Sequence, residues 1–387
     1  MVQAMDYELP EDIVMLRDMA RKFAAERIGP NAREWDRTGM IPAEVIKELA
    51  DLGFLGISIP QEYGGAGIGY LGMSAIIEEV ARQCGGTALM VAAHNGLCCG
   101  HLLVAANEAQ KKKYLPPLAK GQMLGSWCLS EPSSGSDAAA LRTTAVLDGD
   151  TWVLNGSKIF VTNGYRAGVF IMHARTDPAA PKAKGISSFI VERDTPGLEI
   201  GPKEDKLGMR ASDTVPLTLE DVRVPHANLC GELHQGFYDV LKVLERGRIT
   251  IGALSVGLAR GAFEQSVKYA TEREQFGKPL AKHQAIQFKL ADMAVQIDAA
   301  RLLVRKAALL QDAGKSSNLE SAMAKLYASE MATRVCLDAI QIHGGYGYLK
   351  DMPVERLMRD AKLCEIGEGS SEIQRMVIAR TLLDLPN

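Results

Sequence analysis

Gln122-Met-Leu-Gly-Ser-Trp-Cys-Leu-Ser-Glu-Pro-Ser-Ser-Gly-Ser-Asp137 is where the chain changes its period. Before it, from Glu11 to about Gly121, apolar residues recur at helical spacing. Ile13, Leu16, Ala20, Phe23 and Ala24 form one stripe, and Val45, Leu49 and Leu52 another. Pro42, Pro60 and Gly64-Gly-Ala-Gly67 punctuate this region, and residues 70–82 and 88–106 read as buried helices. After it come short segments rich in β-branched and aromatic residues, at 123–129, 143–147, 151–154, 158–161, 169–174, 186–192, 198–201 and 215–224. Asp148-Gly149 and Asn155-Gly156 are hairpin dipeptides between them. Eight short strands in about 100 residues predict a small barrel or sandwich.

From Gly236 the helical period returns and holds to the end. Long segments at 237–269, 285–313 and 319–342, joined by short loops, predict an antiparallel bundle. The expected fold is therefore α+β and multidomain. An N-terminal α-helical domain covers 1–121, a β-barrel 122–235, and a C-terminal α-helical bundle 236–387.

Composition narrows the function. The 387 residues suit two or three domains, and 47% apolar residues supply a large core. A net charge of −3, with Lys111-Lys112-Lys113 as the longest basic run, argues against a nucleic-acid surface. The seven cysteines form no C-x-x-C, and Cys98-Cys99 are too close for an ordinary disulfide. Such cysteines read as reduced core residues of a cytosolic-type compartment. Met1 to Pro10 lacks the basic and apolar regions of a signal peptide. No apolar run approaches the roughly 18 residues of a membrane span, so a soluble protein is expected, in a bacterial-type cytoplasm or as a processed mitochondrial matrix chain. His94 and His101 read as hydrogen-bonded core residues with no metal-site spacing around them. Neither a dinucleotide fingerprint after a strand nor a P-loop occurs.

Five stretches can carry chemistry. In Arg359-Asp-Ala-Lys-Leu-Cys-Glu-Ile-Gly-Glu-Gly-Ser-Ser-Glu-Ile-Gln-Arg375, Glu368 stands between two glycines, which breaks a regular helix. Ser371 to Gln374 fits a capping box, so a helix should start at Ser371 and leave Glu368 on a tight loop ahead of it. Glu365 reads as its solvated neighbour. The loop after Leu129 presents hydroxyls and free N–H groups, a cradle for a polar heterocycle edge or a phosphate. Phe160-Val-Thr-Asn-Gly164 places a ring and a hydroxyl on alternate positions of a strand end, although alone it reads as a core Phe beside a turn. Arg273, Phe276 and Gln284 surround a Gly-Pro interruption between long helices, where an Arg and an aromatic can hold a diphosphate and a stacked ring. Gln341-Ile-His-Gly-Gly-Tyr-Gly-Tyr348 reads on its own as a glycine C-cap.

Taken together, in this order and at these separations, the five stretches resemble the acyl-CoA dehydrogenase family over nearly the whole chain. The specific signal is the combination of Ser130-Glu-Pro-x-x-Gly-Ser-Asp137, Arg273-x-x-Phe276-Gly277, Gln341-Ile-x-Gly-Gly345 and Gly367-Glu-Gly-x-Ser371. The resemblance implies FAD as cofactor, a four-helix C-terminal domain, and homotetramers built as dimers of dimers with each flavin at a subunit interface. It implies that Trp127, Leu129 and Ser130 line the flavin ring and that Phe160 and Thr162 cover its other side. Arg273, Phe276, Gln284, Gln341 and Gly345 would reach the adenine half of the neighbouring subunit's FAD, with Ser370 and Glu372 near their own. Ser136 would touch the pantetheine of an acyl-CoA thioester, and Arg248 would fall near the substrate channel. Glu368 matches the general base that lifts the α-proton while the β-hydride passes to the flavin, giving a trans-2-enoyl-CoA. Burial should raise its pKa and the helix N-terminus should lower it, burial dominating once substrate expels water.

Two departures bear on the substrate. Some members carry the base on the long helix just before the matching Arg. Here that residue is Gly247, and Glu245 points along another line of the helix. Straight-chain members often have Tyr before the catalytic Glu, whereas this chain has Gly367, which leans towards a short, branched or cyclic acyl group. Electron-transfer flavoprotein is the implied electron acceptor. An acyl-CoA oxidase and a non-catalytic flavin or acyl-CoA-binding scaffold are the competing functions.

Overall fold

A computed structural model describes residues 9–385. The signal-peptide reading of the first residues therefore falls, up to residue 8, outside the described residues. Helix α1 (Glu11–Phe23) carries Glu11 and Asp12 in its first turn and Arg21 and Lys22 in its last, which suits the helix dipole, and a π-helical turn extends it to Ile28. Helices α2 (Ala32–Thr38) and α3 (Ala43–Asp51) follow, α2 ending on Gly39 at φ 67°. Helix α4 (Tyr70–Ala81) is capped from a distance, as its Tyr70 and Leu71 N–H groups donate to the Asp312 carboxylate at 2.6 and 2.9 Å. Helices α5 (Gly85–Ala92) and α6 (Gly100–Ala105) are joined by a π-helical turn, and α7 (Glu108–Ala119) opens with a reciprocal Asn107–Gln110 capping box.

The α5–α6 unit corrects one expectation. Gly85–Ala105 is long and apolar enough to cross a membrane, yet 83% of its apolar window is buried inside the fold. Two of its polar residues, His94 and Asn95, are well satisfied there, whereas Thr87 Oγ1 and His101 Nε2 are buried without a partner. Asn95 bonds Ile57 N, Phe54 O and Val91 O, and His94 bridges Leu55 O and Gly125 N. Burial pushes His94 down to about 4, so it stays neutral, as a core histidine should.

Eight strands form one sheet: β1 (Leu124–Cys128), β2 (Thr144–Asp148), β3 (Thr151–Thr162), β4 (Ala167–Arg175), β5 (Ile186–Glu192), β6 (Leu198–Ile200), β7 (Thr214–Pro225) and β8 (Leu229–Cys230). Their order is β6-β7-β3-β2-β4-β5-β8, with β1 pairing β4 in parallel. Trp152, Leu154, Phe170, Phe189 and Val222 pack within a single cluster, so strands from across the sheet share one core. Asp148-Gly149 does turn the β2–β3 hairpin. Asn155-Gly156 does not turn. It is a bulge inside the continuous strand β3, where the register with β7 slips between Leu154 and Gly156. The Asn155 amide, which in a hairpin would sit at the turn, is used by exchanging hydrogen bonds of 2.8 and 3.0 Å with Asp221.

Beyond the sheet run α8 (Gly236–Glu272), the short hairpin β9 (Glu274–Gln275) and β10 (Lys278–Pro279), α9 (Gln284–Asp312), α10 (Asn318–His343), α11 (Pro353–Cys364) and α12 (Ser371–Leu382). Helix α8 packs against α4, α9, α10 and α11. The apolar core is continuous across both helical regions, with Ile76, Val80 and Met90 in the same cluster as Leu254, Ala324 and Leu357.

Close approach makes this possible. A Cβ on Gly257 would lie 2.4 Å from Glu78 O, and one on Gly261 2.3 Å from Arg82 O. Four residues apart, the two glycines share the face of α8 that meets the end of α4. Charges lock the same junction. The buried Glu79 carboxylate accepts from Arg21 and Arg260, while Arg260 and Arg301 bond Glu78. Burial alone would raise the Glu79 pKa, but the two guanidiniums hold it below the usual carboxylate value. Gly257→Val should therefore lower stability by about 1–3 kcal/mol through overpacking, read as a drop in thermal midpoint.

Candidate active site

Helix α11 ends at Cys364, and the chain reverses through a turn before α12. The turn is held by Gly367 N donating to Leu363 O at 2.8 Å and by Ser371 N donating to Glu365 O at 2.9 Å. Within it Glu368 adopts φ 53°, a left-handed conformation that costs a non-glycine residue energy, and Gly369 follows at φ 93°. The N-cap of α12 is Ser370, whose Oγ accepts from Ile373 N; the expected Ser371 capping box is therefore one residue out of register. The reason is Gln374. Its amide donates to Gly369 O at 2.9 Å and Glu368 O at 3.3 Å, so it ties down the turn and does not cap the helix. Lys325 on α10 donates to the same Gly369 carbonyl at 2.6 Å. Glu365 is not the solvated neighbour expected of it: only 17% of its side chain is exposed, and it accepts from Thr333 and Lys362.

This framework presents one unusual atom. Glu368 Oε2 is buried and has no hydrogen-bond partner. It lies against α8 at Gly247, where an added Cβ would be 1.9 Å from Oε2, so only glycine leaves the carboxylate its place. Burial raises the Glu368 pKa to about 7, with the positive charges of Lys325 and Arg248 pulling the other way. Burial thus dominates in the chain alone, before any substrate excludes water. Arg248 is itself buried, donates to Asn318 Oδ1 at 2.8 Å and keeps an unpartnered Nε. Glu245 turns away, as its carboxylate accepts from Ser317 N and Oγ. At Gly367 an added Cβ would meet nothing closer than Leu363 O at 3.6 Å, leaving room beside the turn.

Strands β1 and β3 form a second wall. Ile159 N donates to Ser130 O at 2.9 Å, and Ser126 Oγ donates to Thr162 O at 2.7 Å, which brings Leu129 and Ser130 beside Phe160 and Thr162. Beneath them Lys158 is fully buried. It donates to Glu131 at 2.7 Å, His173 O at 2.6 Å and Leu129 O at 3.4 Å, and the Glu131 carboxylate also accepts from Arg142 N and Thr143 N. Phe160 is not a core residue: at φ 57° in a second register slip of β3 it is 66% exposed. That slip also means simple strand alternation does not relate Phe160 to Thr162. Trp127 is half-buried, its Nε1 donating to His101 and its ring edge-on to His173. Ser136 is exposed on the loop after Ser130.

A third group lies on the surface. Phe276, 95% exposed at φ 54°, caps the β9–β10 hairpin, and Gln284 opens α9. Arg273 stacks over the Tyr346 ring at 5.6 Å, beside Gly345, while Gln341 is exposed in the last turn of α10. Gly344 ends that helix at φ 59°, ψ −135°, which is not the left-handed geometry of an ordinary glycine cap. Glu372 is exposed in the first turn of α12, hydrogen-bonded by Ser370, which lowers its pKa. No hydrogen bond among the described residues joins the Arg273–Tyr346 group to the Glu368 turn.

The residues fit a flavin dinucleotide on their own chemistry. An exposed Phe and a hydroxyl-rich loop are fixed side by side on a rigid strand pair, and on the surface an exposed Phe276 and an Arg stacked on Tyr346 adjoin open space at Gly277 and Gly345. Together with the orphaned Glu368 carboxylate, these groups are the parts that a flavin-dependent oxidoreductase needs.

Comparison with known proteins agrees. Three family models match in turn: acyl-CoA dehydrogenase N-terminal domain over residues 10–122, middle domain over 126–222 and C-terminal domain over 234–383. The mitochondrial short-chain specific acyl-CoA dehydrogenase of Mus musculus is 47% identical, over 97% of this chain and 91% of that one. The structure of butyryl-CoA dehydrogenase from Megasphaera elsdenii superposes with a TM-score of 0.96 at 42% identity, covering 98% and 100% of the two chains. A chain solved in a study of the electron transferring flavoprotein of Acidaminococcus fermentans and flavin-based electron bifurcation gives a TM-score of 0.96 at 44% identity, over 98% and 100%. The chain belongs to the acyl-CoA dehydrogenase family, with its N-terminal helical, middle β and C-terminal helical domains, and is an FAD-dependent oxidoreductase.

Sequence reading passed over Lys158 and Lys325, and gave Gln374 a capping role in place of its bonds to the turn. Lys325 was detectable as a lone charge among Ala322, Ala324, Ala328 and Ser329, all buried in α10. Gly247→Ala tests the seat of the carboxylate. Alanine favours a helix over glycine, so the protein should fold at least as stably. Displacing Glu368 should nevertheless cut dehydrogenation by on the order of 100-fold, measured as flavin bleaching by acyl-CoA.

Proposed function

We propose that this enzyme removes the α-proton and β-hydride of a short acyl-CoA to give a trans-2-enoyl-CoA, with Glu368 as the base. The observation that carries this reading is the unpartnered, buried Oε2 of Glu368, aimed by a strained turn and poised at a pKa of about 7. A carboxylate at its ordinary pKa is a weak base for a thioester α-proton; one raised towards neutrality is matched to the task and still partly ionised at pH 7. The Glu368 N–H donates to no carbonyl among the described residues and is free to receive the thioester oxygen as charge develops there. FAD, when bound, supplies the hydride acceptor.

Leu129, Ser130 and Trp127 would hold one side of the flavin ring system, and Phe160 and Thr162 the other. Ser370 and Glu372 would lie near the same cofactor. Ser136 would meet the pantetheine, and Arg248 would border the channel next to Glu368. The space at Gly367 suits a compact acyl group with a branch near its α or β carbon, and the short-chain specific and butyryl-CoA relatives support the short length.

Arg273, Phe276, Gln284, Gln341 and Gly345 would reach the adenine half of a neighbouring subunit's FAD, in a homotetramer arranged as a dimer of dimers. In support, α9 exposes Phe288, Val295, Leu302 and Leu309 at seven-residue steps, an apolar seam suited to another helix. Electron-transfer flavoprotein would take the electrons, a reading that the similarity to the Acidaminococcus chain supports. All seven cysteines are free and buried, which suits a reducing, cytoplasmic-type compartment.

Glu368→Gln should keep its yellow colour and lose between about 10² and 10⁴ of its rate. An undiminished rate would remove the base assignment. Because the raised pKa leaves Glu368 protonated at low pH, kcat/KM should fall as pH drops below about 7. In an anaerobic panel of thioesters, butyryl, isobutyryl, isovaleryl and 2-methylbutyryl should bleach the flavin faster than octanoyl. Octanoyl preference would overturn the Gly367 reading, rapid peroxide formation in air would make this an oxidase, and no bleaching at all a scaffold.

A further inference from the structure

Lys325 lies in the middle of α10 and is fully buried. A buried ammonium is costly unless it is paired, and the usual partner is a carboxylate in direct contact. Among the described residues Lys325 has none within 4 Å; its hydrogen bond goes to Gly369 O at 2.6 Å. That carbonyl belongs to the residue that follows Glu368 at φ 93°. The lysine therefore holds the rear of the turn whose front is the reacting carboxylate, and its charge remains unneutralised in the same pocket.

We propose that Lys325 is a positioning residue for Glu368: it pins the strained turn through the Gly369 carbonyl and supplies the buried positive charge that keeps the carboxylate available as a base. The inference rests on Glu368 being that base.

The groups that face this pair come from every element packed around it. Arg248 reaches in from α8, Cys364 and Glu365 from the end of α11, Glu372 from the start of α12 and Tyr70 from α4. Burial raises the Cys364 thiol to about 12, so it is neutral, and burial raises the Tyr70 phenol likewise. Glu365 is paired with Lys362 and Thr333, and Glu372 is exposed. Arg248 is the second cation but already donates to Asn318. Lys325 is the first of the two charges that oppose the burial of Glu368. Gln374 also bonds Gly369 O, so the turn keeps one tether when the lysine is replaced, although it loses the charge.

The sign follows. Glu368 is raised by burial and pulled back by Lys325, so loss of the ammonium raises it further and protonates the base at neutral pH. Burial in turn lowers Lys325 to about 8, so its ammonium is still present over the pH range in which Glu368 titrates. Two variants of the FAD-loaded enzyme read this in kcat/KM against pH with butyryl-CoA. Lys325→Met should move the acid limb up by about one to three pH units, the effect of one close charge, with rate recovering as pH rises. Lys325→Arg, always charged, should keep the acid limb where the wild-type enzyme has it. Should the Met variant fail to fold, Lys325→Gln, neutral but still able to donate to Gly369 O, takes its place: an acid limb unchanged from wild type overturns the proposal. A folded Met variant whose acid limb superimposes on wild type overturns it too, even if its rate is lower at every pH. Glu368→Gln separates the two levels. If it remains active, the base assignment fails; if it is dead while the Lys325 profiles are unchanged, only this inference fails.

Discussion

The site depends on burying a carboxylate without a partner. Glu368 Oε2 sits against bare backbone at Gly247 and finds no donor, which would be prohibitive for a fixed charge. Two features make it tolerable. Its pKa rises to about 7, so near neutral pH it is uncharged much of the time, and two buried cations on other helices oppose the rise. The strain of φ 53° at the same residue is held by hydrogen bonds from Lys325 and Gln374 to the carbonyls behind it. The energetic cost of the site is thus carried by the helical core, chiefly α8 and α10, on which the turn is mounted.

Both walls of the site use the same device in different electrostatic states. Lys158 and Lys325 are each fully buried, and each donates to a backbone carbonyl of a loop that the chemistry needs rigid. Lys158 is neutralised in contact by Glu131, which two backbone N–H groups also hold, so the pair can fix the Leu129–Ser130 wall without projecting a net charge. Lys325 has no such contact, and its field falls on Glu368. One lysine builds a platform and the other tunes an acid.

The sequence disclosed the layout well where periodicity was long. Helices α8, α9 and α10 were legible to within a few residues, because a 3.6-residue repeat sustained over many turns has little competition. Failures came where a local rule met a tertiary demand. Asn155-Gly156 has hairpin chemistry, but pairing of β3 along the whole of β7 turned it into a bulge. Ser371 and Gln374 have the spacing of a cap, but the turn before them claimed the glutamine. Phe160 looked like core and is exposed, because a register slip of β3 turns it outward at φ 57°. Lys325 is separated from Glu368 by more than forty positions (368 − 325 = 43), and no pattern within either segment links them.

The Gly247–Glu368 contact also ties the carboxylate to the face of α8. The Glu368 carboxylate hangs from the turn before α12, and a Cβ on α8 at residue 247 would lie 1.9 Å from its Oε2, the far end of the side chain. That separation is far below any van der Waals contact, and both backbones are anchored, one in a 37-residue helix and the other by three side-chain hydrogen bonds. A side chain at 247 therefore requires the Glu368 carboxylate to swing away from its present place. The two positions form a single seat, so the identity of one constrains the other more tightly than any hydrogen bond between them could.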